Sequence, residues 1–290
     1  MATADTAVFG LGLIGSIWAR RYAQAGRLVA SWSRRSGAGL PGRCEDPEEA
    51  ARAARVLHLC LYDPVSVDAV LEQILPSLGS GQLLVQSTTI DPEHAESFAA
   101  RVRETGASYV EAPFTGSSPA AEAGKTVFYL GGPPGDREVA REALAPLGER
   151  TFPFASPREA AAIKLAMNVQ IAGIVEAHAE GLVLARSAGI ADEDFFAVLR
   201  ENAAWSGVAA LKEEKMRSGD LSPQFSAANM HKDLRLALGA APGDLPNLRT
   251  VCDRLAEWVR RGGGEDDFLA VLRLLEEGIS EGPASRSGNR

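Results

Sequence analysis

A short apolar run, Asp5-Thr-Ala-Val-Phe9, runs straight into Gly10-Leu11-Gly12-Leu13-Ile14-Gly15, and residues 14–25 then carry helical spacing up to Gly26. Strand, glycine turn and helix in that order leave few folds open. The first glycine permits the tight turn, the second lets backbone N–H groups approach a pyrophosphate, and the third lets helix and strand pack closely. The helix start then turns its positive dipole end toward the phosphates. The turn Gly10, Leu11, Gly12, Leu13, Ile14 and Gly15 is therefore read as the binding stretch for a dinucleotide cofactor.

The pattern downstream agrees. Apolar runs at 27–32, 56–61 and 82–86 alternate with helix-length segments at 47–54 and 65–78, as right-handed βαβ crossovers in a parallel sheet require. Runs at 108–111 and 126–130 extend the sheet. After Thr151 strand-like runs disappear and Ala/Leu/Glu-rich helical segments take over, with breaks near Gly189, Ser206–Gly207, Gly219–Pro223 and Ala241–Pro246. The expected fold is an α/β Rossmann-type, doubly wound parallel sheet as N-terminal domain (1–158), followed by an all-α C-terminal domain (159–280). The polar residues 281–290 read as a disordered tail.

With 30 Lys and Arg against 38 Asp and Glu, the formal charge of -8 argues against a nucleic-acid or anionic-membrane partner. Cys44, Cys60 and Cys252 are odd in number and far apart, which fits a reducing cytoplasm and neither a disulfide scaffold nor a structural zinc. The start of the chain has no cationic segment before an apolar run, and no stretch reaches about 18 uninterrupted apolar residues. A soluble, cytoplasmic protein is expected. His58, His94, His178 and His231 form no defensible catalytic or metal-binding arrangement. Trp205 and Trp258 read as core or interface residues.

The end of the second strand selects the dinucleotide. An NAD site places Asp or Glu about 20 residues beyond the glycines, on the ribose 2′-hydroxyl. Here Ser33-Arg34-Arg35 supplies cations and no acid. Planar guanidinium groups suit a 2′-phosphate and stack on adenine, so NADPH is the expected cofactor.

Four motifs together resemble the β-hydroxyacid dehydrogenase (3-hydroxyisobutyrate dehydrogenase-like) family, and especially its glyoxylate/succinic semialdehyde reductase branch. They are GLGLIGSIWARRYAQAG (10–26), EAPFTGSSPAAEAG (111–124), Lys164-Leu-Ala-Met-Asn168, and FSAANMHKDLRLAL (225–238). The resemblance implies a catalytic Lys164 and Asn168, and a substrate loop Thr115-Gly116-Ser117 that binds the acid end of the substrate. It sets Thr89 on the nicotinamide or substrate side, and brings Phe225, Lys232 and Asp233 over the active site from the C-terminal domain. A long helix beginning near Glu159 and a homodimer or homotetramer follow from the same likeness. The chain departs from the family at Phe114 and Thr115, where valine and serine are usual, and at Arg158 and Ala160, where glycines are frequent.

Alone, Lys164 and Asn168 would read as a snorkelling surface lysine and a helix-surface amide; beside the other motifs their residue types fit that chemistry. Lys164 and Asn168, four apart, share a helix face. When hydride reaches a carbonyl carbon, a positioned ammonium stabilises the negative charge on oxygen and donates a proton; Lys164 suits that role, and Asn168 can hold the lysine or the oxygen. Thr115-Gly116-Ser117 offers hydroxyls and unshielded N–H groups for a carboxylate. Thr88 and Thr89, and Leu61 and Tyr62, follow strands at the edge where open α/β sheets bind ligands. Lys232 is read on a 2′-phosphate or the substrate carboxylate, and Asp233 in an ordering contact or a plain ion pair. The reading is an NADPH-dependent reductase of a small aldehyde or keto acid. Imine reduction, a specialised biosynthetic ketone reductase and a non-catalytic NADPH-binding sensor stand as alternatives.

Overall fold

The computed structural model describes residues 5–34, 39–148 and 150–280; Arg35 and the tail 281–290 lie outside them. Two compact units divide the chain, Met1–Leu165 and Ala166–Arg290.

The first unit is built on β1 (Thr6–Phe9), α1 (Leu13–Gln24), β2 (Leu28–Trp32), α2 (Pro47–Ala53), β3 (Val56–Leu59), α3 (Pro64–Ile74), β4 (Leu83–Gln86), α4 (Pro92–Glu104) and β5 (Ser108–Glu111). It continues through β6 (Phe114–Thr115), α5 (Ser118–Glu122), β7 (Val127–Gly131), α6 (Pro134–Leu144) and β8 (Arg150–Phe154). The strands lie in the order β2-β1-β3-β4-β5-β7-β6, with β8 beside β7. Alternation along each strand builds two cores. Ala7, Phe9, Leu57, Leu59, Leu84 and Tyr109 face α2, α3 and α4, whereas Val8, Val56, Val85 and Val110 face Trp18 and Tyr22 of α1 and Ala140 and Leu144 of α6.

Asp-Pro starts three helices. Asp46, Asp63 and Asp91 accept backbone N–H groups of the first turns of α2, α3 and α4, and the proline that follows each is preset for the first helical position.

The sheet is the parallel-dominated one expected: it is parallel from β2 through β5, and β7 runs antiparallel to β5 and β6. One expectation needs correction. Strand structure continues past Thr151: Arg150-Thr-Phe-Pro-Phe154 pairs parallel with β7 along its whole length. Pro153 cannot donate to a ladder and so masks a strand, and it is tolerated because β8 pairs with β7 alone.

Helix α7 (Pro157–Ser187) runs from the first unit into the second. By length and mean hydropathy (1.3) it could cross a membrane, yet Lys164, Asn168, Glu176 and His178 along it have buried side chains, as in a helix packed within protein. Its approach to the sheet is close at Gly131, where a Cβ would stand 2.3 Å from the Ser156 carbonyl oxygen and 2.7 Å from the Ala160 Cβ. The absence of a side chain at Gly131 of the strand is what lets Ala160 sit in the helix. Arg158 points elsewhere and pairs with Glu96 at 2.9 Å.

The second unit adds α8 (Asp192–Arg200), α9 (Gly207–Ser218), α10 (Ala227–Ala240), α11 (Pro246–Arg260), a single turn at Phe268–Ala270 and α12 (Val271–Ser280). The anticipated breaks fall in place: Ser206 caps α9, Gly219 ends it at φ 72°, and Pro246 opens α11.

Candidate active site

At the C-terminal edge of the first unit's sheet, the three glycines divide their work. Gly10 adopts φ 100°, and a Cβ there would meet the Cys60 carbonyl oxygen at 2.2 Å; at Gly15 one would meet the Gly10 oxygen at 1.9 Å. Both hold the turn against β3 and α1. At Gly12 a Cβ would meet nothing within 4 Å, and no side chain caps the helix start it forms. The first-turn N–H groups of α1 are thus left for a ligand, with the exposed Leu13 beside them. These features fit a pyrophosphate. Gly15→Ala is expected to cost about 1–3 kcal/mol by overpacking. Gly12→Ala should keep stability within about 0.5 kcal/mol while weakening dinucleotide binding; thermal unfolding beside a dinucleotide titration separates the two.

Around this turn, β2 is followed by half-buried Ser33 and exposed Arg34. Leu61 is half-buried and Tyr62 exposed after β3. The two threonines after β4 differ: Thr88 is buried and accepts the Leu61 N–H at 2.8 Å, whereas Thr89 is half-buried. Thr88 is therefore a bracket between strand ends.

That bracket rests on a buried chain of side chains which sequence reasoning left without a role. Gln86 Nε2 donates to Glu111 Oε1 at 2.9 Å and to the Thr88 carbonyl at 2.9 Å, while Gln86 Oε1 accepts the Thr88 N–H at 2.5 Å. Tyr109 donates to Glu111 Oε2 at 2.5 Å. Burial pushes the Glu111 carboxyl well above the ordinary carboxylate range, favouring its neutral form. The ends of β3, β4 and β5 are tied into one piece.

The loop after β5 keeps strand geometry. Glu111, Phe114 and Thr115 pair with Gly131, Phe128 and Val127 in one register, and the Pro113 carbonyl between them accepts the Tyr129 N–H. Thr115 is half-buried, Gly116 is exposed at φ 139°, and half-buried Ser117 immediately precedes α5. Phe114 lies edge-on to Trp18 at 4.8 Å, and its ring centroid is 5.9 Å from Lys164 Nζ. A cation over an aromatic face is attracted by the ring's quadrupole.

In the second unit, Asn168 and Asp233 are almost fully buried, and Asn168 Nδ2 donates to Asp233 Oδ2 at 2.6 Å. Lys232 Nζ lies 2.8 Å from Asp233 Oδ1. Three of the anticipated residues thus converge, and Asp233 orders both Asn168 and Lys232. Half-buried Phe225 packs edge-on to Phe268 at 6.2 Å. Its segment is anchored by a pair that the sequence did not suggest: Lys212 Nζ donates to both Asp267 oxygens at 2.7 Å, and Asp267 accepts the Gln224 N–H at 2.9 Å. Both side chains are buried. Among the described residues no cluster of His, Cys, Asp and Glu could hold a metal ion.

A glycine turn on a Rossmann sheet, followed by a helix with a buried lysine and asparagine one turn apart, defines the class of nucleotide-dependent oxidoreductases with a helical second domain. Residues 5–156 match the family described as the NAD binding domain of 6-phosphogluconate dehydrogenase, and residues 159–275 match that described as NAD-binding of NADP-dependent 3-hydroxyisobutyrate dehydrogenase. The chain belongs to the 3-hydroxyisobutyrate dehydrogenase-like family of NAD(P)-dependent β-hydroxyacid dehydrogenases. It is similar to the chloroplastic glyoxylate/succinic semialdehyde reductase 2 of Arabidopsis thaliana, 26% identical over 288 residues that cover 95% of this chain and 80% of that protein. In fold it is similar to a Mycobacterium tuberculosis 3-hydroxyisobutyrate dehydrogenase solved with L-serine (TM-score 0.87, 23% identity, 94% of this chain and 99% of that one). An imine reductase from a Pseudomonas species shares the fold at TM-score 0.63, 23% identity and 93% and 99% coverage.

Proposed function

We propose that the enzyme reduces a small aldehyde or keto acid, of the glyoxylate or succinic semialdehyde kind, to the hydroxyacid with NADPH. The observation that carries this reading is the buried pair Lys164 and Asn168, one turn apart on α7, with Asn168 fixed by Asp233. Support comes from the likeness to a glyoxylate/succinic semialdehyde reductase and from the cations at the end of β2.

NADPH, when bound, supplies the hydride for the carbonyl carbon. The Gly10–Gly15 turn would hold its pyrophosphate, Ser33 and Arg34 its adenosine end, and Leu61, Tyr62 and Thr89 would line its nicotinamide side. The Lys164 ammonium stabilises the charge that develops on the carbonyl oxygen and gives that oxygen a proton. Asn168 orients the oxygen through its amide. Thr115, Gly116 and Ser117 receive the substrate carboxylate, and Lys232 adds a cation to the anionic ligands.

The test is NADPH oxidation, beside NADH, across glyoxylate, succinic semialdehyde, hydroxypyruvate, 2-oxo acids, ketones and cyclic imines. Turnover of a small aldehyde or keto acid, faster with NADPH, is expected. A preference for NADH would sink the cofactor assignment, and turnover confined to imines or larger ketones would move the substrate to the alternative classes.

A further inference from the structure

The end of β2 is flanked by a second arginine from a distant turn. Residues 41–44 lie along the edge of β2: Ser31 donates its N–H to the Gly42 carbonyl at 2.6 Å and its hydroxyl to the Pro41 carbonyl at 2.7 Å, and Cys44 donates its N–H back to the Ser31 carbonyl at 2.9 Å. Gly42, at φ 65°, permits that approach, since a Cβ there would stand 3.3 Å from Leu28 Cδ2 and 3.4 Å from Ala30 Cα. The segment is pinned, and Arg43 is carried toward the C-terminal end of the strand. Its Nη2 donates to the Ser33 carbonyl at 3.2 Å and its Nη1 to the Cys44 carbonyl at 3.0 Å.

That places the guanidinium at the peptide link between Ser33 and Arg34, the position where an NAD site would carry its ribose-binding acid. We propose that Arg43 is a specificity-determining residue, a second guanidinium that, with Arg34, receives the adenosine 2′-phosphate. The proposal rests on the NADPH reading above. Two carbonyls hold the fork in place and leave its remaining donors for a ligand. The side chain is 22% exposed, so little conformational freedom is left to lose on binding, whereas exposed Arg34 must be ordered. A phosphate monoester near neutral pH carries more than one negative charge, and two guanidinium groups match it better than one. The acid in range, Glu45 at 3.7 Å, is 88% exposed and beyond hydrogen-bond distance, so a phosphate displaces it at little cost. NADH has no phosphate there, and its binding is indifferent to Arg43.

The test is the dissociation constants of NADPH and NADH, measured by fluorescence titration of the parent, Arg43→Ala, Arg43→Lys and Arg34→Ala. Loss of a charge-assisted contact predicts that Arg43→Ala weakens NADPH by about tenfold or more and NADH by less than about twofold. Arg43→Lys, which keeps the charge without the fork, should fall between. Retained NADH affinity doubles as proof of folding. Equal weakening of both cofactors, or unchanged NADPH affinity in a parent that discriminates, overturns the role of Arg43. A parent that binds both cofactors alike overturns instead the NADPH reading beneath it.

Discussion

Lys164→Ala is expected to lower turnover by about two or more orders of magnitude while leaving NADPH affinity within about twofold of the parent, as removal of a positioned general acid should. The split follows from placement: Lys164 is buried against Phe114 and stands apart in sequence from the glycine turn. The loss should appear equally in kcat and kcat/KM, because the interaction removed strengthens only as charge develops on the carbonyl oxygen. Lys164→Arg keeps the cation but not the acid, since a guanidinium does not release its proton near neutral pH, and should recover little. Near-normal turnover in Lys164→Ala would dismiss the lysine as proton donor, whatever the substrate.

Lys212→Met is expected to cost about 3–5 kcal/mol, because it leaves Asp267 charged and buried without its partner. For a chain of this size that corresponds to a fall of roughly 10 °C in Tm. Burial pulls the Lys212 ammonium down, and Asp267 opposes that pull. The aspartate also accepts N–H groups from Gln224, Phe225 and Leu269, so it fixes the segment leading into α10, which carries Lys232 and Asp233. Lys212→Met combined with Asp267→Leu should recover part of the loss and no more, since those amides stay orphaned. Differential scanning fluorimetry decides it; a single-variant loss below about 1 kcal/mol would make the pair a bystander.

What could be read from the chain alone tracks how local each constraint is. The glycine turn was legible because its three positions fall within six residues, and Gly10 and Gly15 show the close contacts that the pattern implies. The Lys164 and Asn168 pair was legible because helix geometry converts a spacing of four into a shared face. Strand β8 was hidden by Pro153. The bracket from Glu111 through Gln86 to Leu61 was hidden for a different reason: it joins residues from three strands, and nothing in Gln86 or Glu111 names the other. Arg43 and the Lys212–Asp267 pair share that character, since long-range pairing alone gives them their neighbours. Phe114 was visible as a departure from the family's usual valine, but its contact with Lys164 required the fold.

The unbroken register that carries β5 through Pro113 into β6 has a further meaning for adaptability. Phe114 and Thr115 are anchored as strand positions, so exchanging them alters the volume and polarity they present without re-routing the main chain. A surface made this way behaves like a socket with interchangeable inserts. Phe114→Val would enlarge the space beside Lys164 and leave the lysine's own helix untouched. Side chains at these two positions can then change one at a time, on a backbone that keeps its register.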